Sequence, residues 1–259
     1  MRIRTTVAAV SGAVVLSGLA LPTAQAADSH KGHTKITKVV VNGGKDIVVG
    51  TADKKITMTV TGTDPKGIKD GFAALWYGKK LDWGRLDGML GPAKEPRCTK
   101  IDAKSATCRI VTVAHPRGLK NSTAGTWNVV AGLLGKGRAE NHVIKEKYKT
   151  VRVQRATRLT VNASPEPVKK GEAVTVSGAL TRADWESRTY AAYTGQPVKL
   201  QFKAEGTSAY TTLKTLKTDA KGQLKTTVKA SVDGSFRYVF GGSAASPAVT
   251  AAGDFVDVR

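Results

Sequence analysis

Leu159–Leu180, LTVNASPEPVKKGEAVTVSGAL, reads as a strand, a proline-rich turn and a second strand. Val and Thr alternate through VTVSGAL, and β-branched residues at period two suit a pleated surface with one face buried. Pro165 and Pro167 cannot donate to a sheet ladder, so the stretch between the two runs is a turn. The same grammar fills most of the chain. ITMTVTG (Ile56–Gly62), CRIVTV (Cys108–Val113) and VKLQF (Val198–Phe202) alternate in the same way. Asn42-Gly43-Gly44, Asp64-Pro65-Lys66-Gly67, Asp219-Ala220-Lys221-Gly222 and Asp233-Gly234 supply turn signals between such runs. No segment after residue 26 carries a helical apolar stripe. The pattern predicts an all-β protein of stacked sheets.

A repeat runs through this pattern. Val41-Asn42 matches Val161-Asn162, and each pair leads through a loop into an alternating strand that ends in Gly62 or Gly178. Later, Gly125-Thr126-Trp127 matches Gly234-Ser235-Phe236. Two copies of one sandwich, over residues 35–154 and 155–259, account for both matches. Trp127 and Phe236 are then core residues. The boundary falls in Val153–Arg158, where YKTVRV runs almost directly into TRLTV, too short a joint for free domain motion.

The second half, with TRADWESRTYAAYTGQPVKLQF, DAKGQLKTTVKASVDGSFRYVFGG and the terminal GDFVDVR, resembles the C-terminal immunoglobulin-like domain of secreted actinomycete proteins. The first half, with TVTGTDPKGIKD, ALWYG and STAGTWNVV, resembles the bacterial immunoglobulin-like modules that precede it. The resemblance implies two tandem immunoglobulin-like β-sandwiches and export, and it brings no catalytic residues.

The N-terminus agrees with export. Arg2 and Arg4 precede an apolar run, Val7–Leu21, and Ala24-Gln25-Ala26 fits a small-x-small cleavage rule, so residues 1–26 are expected to be a signal peptide. Residues 27–34 are expected to be a flexible tail. No membrane-spanning segment and no covalent anchor are expected. Cys98 and Cys108, the two cysteines of the chain, bracket CTKIDAKSATC, a hairpin whose arms would meet at a disulfide in an oxidising compartment.

The net charge is +21. Between Ala27 and Gln154 there are 24 Lys and Arg against 11 Asp and Glu, and from Arg155 to Arg259 there are 15 against 9. An exported cation of this kind is expected to be drawn to anionic cell-wall polymers or polysaccharides; the competing reading is solubility, with Lys on solvent faces guarding strand edges against aggregation. Specific nucleic-acid binding is not expected.

The sequence offers two aromatic loops as ligand sites. Trp83 stands among Lys79, Lys80 and Arg85, and Trp185, Tyr190 and Tyr193 lie in ADWESRTYAAYTG, expected as a long loop. Aromatic faces beside cations could stack on sugars while the charges hold anionic groups. The competing reading folds these rings back over the sandwich ends. Trp76, in ALWYG, is expected in the core. Asp64 and Asp70 flank a turn, but Lys66 and Lys69 oppose a cation there, and no EF-hand spacing occurs, so no metal and no cofactor are expected. His30 and His33 lie in the tail, where a terminal copper site would depend on the cleavage point; His115 and His142 are expected at the surface. No G-x-S-x-G or H-E-x-x-H motif occurs. The expected role is a non-catalytic binding or structural module at the cell envelope, with a calcium-responsive or protein-interaction module as the alternative.

Overall fold

A computed structural model describes residues 28–82, 84–137 and 141–259. The expected signal peptide, residues 1–26, lies outside the described residues.

The first half folds as β1 (Ser29–Lys31), β2 (Lys35–Val41), β3 (Ile47–Val49), β4 (Lys54–Thr63), β5 (Ile68–Tyr77), β6 (Gly88–Leu90), β7 (Arg97–Lys100), β8 (Ser105–Ala114), β9 (Gly125–Gly135) and β10 (His142–Arg155). One sheet has the order β2-β4-β8-β7 and the other β1-β10-β9-β5-β6. β3 leaves the first sheet's side and pairs in parallel with β10. The inner faces meet over Ile56, Met58, Val60, Ile110, Leu75, Trp127, Val129 and Leu133. Burying such side chains contributes about 1.5–3 kcal/mol each.

The second half folds as β11 (Thr157–Leu159), β12 (Asn162–Ser164), β13 (Ala173–Asp184), β14 (Thr189–Ala192), β15 (Pro197–Ala204), β16 (Thr211–Lys217), β17 (Gln223–Lys229), β18 (Gly234–Phe240), β19 (Val249–Thr250) and β20 (Asp254–Val256). β11, β12, β14 and β17 all pair with β13, facing a sheet of β16-β15-β18 with β19 and β20 on its far edge. Val174, Val176, Leu200, Phe236 and Tyr238 fill the space between. In both halves the strand orders are those of an immunoglobulin-like Greek key.

The repeated glycines explain themselves in space. A Cβ on Gly62 would stand 2.1 Å from the carbonyl oxygen of Lys35 and 2.2 Å from Leu133 Cδ1. A Cβ on Gly178 would stand 2.3 Å from the carbonyl oxygen of Thr160 and 2.9 Å from Tyr238 Cδ2. In each copy the neighbouring strand is irregular at this point, by a register shift after Ile36 or by the break between β11 and β12. A glycine lets that strand's carbonyl and a core side chain of the opposite sheet approach together.

Two expectations are corrected. Within the stretch expected as a flexible tail, residues 29–31 form a strand: β1 adds antiparallel to the edge of β10, with His30 opposite Val143. The Asp28 carboxylate accepts from the Glu146 amide at 3.0 Å and from Lys145 Nζ at 2.8 Å, which anchors the start of that strand. ADWESRTYAAYTG is not a long loop either. β13 pairs with β17 through Ala173–Ala179, then continues past it and pairs with β14 through Thr181–Asp184. The turn between β13 and β14 places Arg188 at φ 57, a left-handed conformation.

This hairpin joins the two sandwiches. Only Ala156 separates β10 from β11. Ala183 and Trp185 belong to the core of the first sandwich, where the indole has no exposed surface. Trp185 Nε1 donates to the Val49 carbonyl at 3.1 Å, and the Trp185 amide donates to Asn121 Oδ1 at 3.0 Å. Asn121 in turn donates to both carboxylate oxygens of Glu186. Beneath the hairpin, Arg155 Nε donates to the Ala183 carbonyl at 2.6 Å. Burial lowers the Arg155 pKa, and nearby Arg182 lowers it further, against the opposing pull of Asp184 and Glu186.

Candidate binding surfaces

Alternation along β5 splits its side chains between two environments. Ala73 and Leu75 point between the sheets, whereas Phe72, Ala74 and Trp76 point outward and form a separate apolar cluster with Val130. Trp76 is fully buried, but on the outer face of its sheet. Leu81 and Leu86 cover that face, so residues 78–82 and 84–87 fold back over it as a lid. Trp76 Nε1 donates to the Glu146 carbonyl at 3.0 Å, and Lys147 Nζ lies 5.4 Å from the ring centroid. Burial raises the Glu146 pKa and Asp28 raises it further, partly offset by Lys80 and Lys147. Lys79, Lys80 and Arg85 stand exposed on this lid. Trp83 lies outside the described residues.

The second aromatic set is corrected as a stacking platform. Trp185 is sealed in the core of the first sandwich and has no face to offer. Tyr193 is buried in the second core, edge-on to Phe240 at 5.5 Å, with Arg182 stacked 3.9 Å from its centroid. Tyr190 is half-buried against the first core, with Arg158 3.6 Å from its centroid. Tyr190 and Tyr193 already carry their own cations. The sequence could have pointed to this through spacing, since Ala183 and Trp185 continue the alternation of β13.

The acidic turn is committed to structure. Asp64 is buried, and its carboxylate accepts from Thr34 Oγ1 at 2.9 Å, Asn141 Nδ2 at 2.6 Å and the Lys66 amide at 2.9 Å. Burial alone would raise its pKa, but these donors outweigh that and hold it below the usual carboxylate value. Asp70 accepts from the Gly71 amide at 2.7 Å. No group of His, Cys, Asp and Glu suited to a metal ion occurs among the described residues. His142 meets Ser29 Oγ at 2.7 Å, and His115 meets Asp53 at 2.8 Å on the surface.

Cys98 and Cys108 form a disulfide between β7 and β8, directly opposite each other in the ladder. It staples two neighbours of one sheet. No helix among the described residues is long and apolar enough to cross a membrane.

The outer face of the β2-β4-β8-β7 sheet has a consistent chemistry. Pairing places Lys38, Thr61, Thr107 and Thr99 in one row, and Thr59, Arg109 and Arg97 in the next. Thr61 and Thr107 hydrogen-bond at 2.8 Å, and Arg109 Nη2 donates to Thr57 Oγ1 at 3.2 Å. These four strands contain Lys35, Lys38, Lys54, Lys55, Arg97, Lys100 and Arg109 and no Asp or Glu.

No protein-family model matches the chain. A search of curated proteins also finds no match. Among solved structures, the chain is similar to dimeric latent PorU from Porphyromonas gingivalis, at 12% identity and a TM-score of 0.30. That match covers 87% of this chain and 20% of PorU, so the chain spans only a fifth of that structure. The D00-D0 domain of Intimin matches at 16% identity and a TM-score of 0.27, over 85% of this chain and 99% of that one. The mouse nectin-like molecule 4 ectodomain matches at 9% identity and a TM-score of 0.25, over 90% and 66%. The strand order itself makes the assignment: this is an all-β protein of two tandem immunoglobulin-like sandwiches.

Proposed function

We propose that the chain is a non-catalytic, exported binding module that captures an anionic polymer at the cell envelope by electrostatic attraction. The observation that carries this reading is the β2-β4-β8-β7 sheet, whose strands hold seven cations and no carboxylate. Lys79, Lys80 and Arg85 add exposed cations on the opposite side of the same sandwich, over the outer face of the β5 sheet. Cations spread over a flat sheet attract a polyanion over a Debye length and fix no single geometry. The filled interiors of both sandwiches leave the exteriors to act. The disulfide suits an oxidising compartment outside the cytoplasm.

The test is retention of the full chain on immobilised polyanion across graded salt. Retention should fall steeply with salt, the logarithm of the binding constant falling linearly with log salt concentration, as counterion release requires. Replacing Lys38, Lys55, Arg97 and Arg109 with Gln should flatten that slope. Retention indifferent to ionic strength would overturn the reading.

A further inference from the structure

The same sheet face is treated oppositely in the two sandwiches. In the first, the outward side chains of β5 are Phe72, Ala74 and Trp76, and the lid covers them. The corresponding strand of the second sandwich is β15, whose outward positions are Lys199, Gln201 and Lys203. Beside them on β18 stand Ser235, Arg237 and Val239. β15, β16 and β18 contain no Asp or Glu.

This open face is organised. Arg237 lies over the Tyr210 ring, its guanidinium carbon 3.6 Å from the ring centroid, and Lys203 Nζ is 5.5 Å from the same ring. Arg237 Nε donates to Gln201 Oε1 at 2.9 Å, and Gln201 Nε2 donates to Thr212 Oγ1 at 3.2 Å. The fork is held by its Nε and its stacked plane, and its two terminal nitrogens make no hydrogen bond among the described residues. Gly253 makes room for the assembly, since a Cβ there would stand 2.7 Å from the Tyr210 hydroxyl. One large apolar ring remains uncovered: Phe255, 44% exposed, is paired with Ser235, the ladder partner of Lys203. Two strand spacings separate Phe255 from Lys203, about 10 Å.

We propose that this face, centred on Arg237, Lys203 and Phe255, is the docking site for a polysaccharide whose rings carry carboxylate groups. The inference rests on the polyanion reading above and names the polymer and the place. A planar guanidinium fixed on an aromatic ring suits a carboxylate bidentately. Phe255 offers a surface for the C–H face of a sugar ring, and Gln201, Ser235 and Thr212 suit its hydroxyls. A polyphosphate chain without rings would leave Phe255 idle. Single-stranded nucleic acid needs a series of free aromatic platforms, whereas Tyr210 is already stacked by Arg237.

The test compares binding of the full chain, at one ionic strength, to polygalacturonate, poly-L-glutamate, poly(glycerol phosphate) and an oligothymidylate. Polygalacturonate should bind tightest. Phe255→Ala should weaken it roughly fivefold, with the charge unchanged. The pair Lys203→Gln and Arg237→Gln should weaken it roughly tenfold or more. Thermal melts of each variant separate a binding defect from misfolding. Equal affinity for poly-L-glutamate, or preference for poly(glycerol phosphate) or oligothymidylate, overturns the assignment of a sugar acid. Polygalacturonate binding that survives these variants but is lost with Lys38, Lys55, Arg97 and Arg109 overturns this site and leaves the general function standing. Failure of the wild-type chain to bind any of the polyanions at low salt overturns both.

Discussion

Trp185 Nε1 donates to the Val49 carbonyl at 3.1 Å, so a residue of the second sandwich completes the core of the first. Trp185→Ala should therefore cost about 3–5 kcal/mol, chiefly in the unfolding of the sandwich to which the residue does not belong in sequence. Trp185→Phe keeps most of the volume and should cost about 1–2 kcal/mol. Denaturant unfolding of both variants, with limited proteolysis around Ala156, reads the effect. An alanine variant as stable as the parent would show that the sandwiches are independent.

Gly62 and Gly178 make equivalent close approaches in the two copies. Replacing either with Ala should destabilise by about 1–3 kcal/mol or more, because a carbonyl and a core side chain must both retreat. Gly62→Ala should act on the first sandwich and Gly178→Ala on the second. Hydrogen exchange resolved by segment distinguishes them. A neutral result at either glycine would remove the proposed reason for the repeat.

Asp64 has its pKa lowered by three protein donors that outweigh the effect of burial. Its folded value lies below the unfolded one, so its carboxylate stabilises the fold above the unfolded value of about 3.9. That stability is lost as pH falls through the folded value. Asp64→Asn should lower the melting temperature at pH 7 and remove part of the acid sensitivity below about pH 4. A parallel fall in parent and variant would show that other carboxylates govern the acid limb.

The disulfide between Cys98 and Cys108 closes a short loop, with a sequence separation of 10. Its loss should cost about 2–3 kcal/mol in the chain-entropy model. Replacing both cysteines with Ser should lower the denaturation midpoint while leaving the far-ultraviolet circular dichroism unchanged. Collapse of the β signal would mean that the hairpin holds the whole sheet.

Thr and Val alternation made the sheets legible, because period two maps directly onto the faces of a strand. The matched glycines exposed the repeat for a related reason: a close backbone approach tolerates one residue type. The destinations of the aromatics were less visible. Trp185 follows polar Asp184 and precedes Glu186, so local composition suggests an exposed turn, while its burial depends on a neighbouring module. Trp76 and Trp127 are equally apolar in sequence, yet they lie on opposite sides of one sheet. β1 escaped notice because three residues of mixed polarity gain their order from the edge of β10. The Arg237–Tyr210 stack was hidden because its members come from different strands and connections.

The borrowed indole sets an order of events during synthesis. A chain that emerges from its N-terminus presents β10 well before the turn after β13, so the first module waits with an unfilled end. A fragment cut at residue 155 would inherit that vacancy permanently, because Ala183 and Trp185 would be missing from its core.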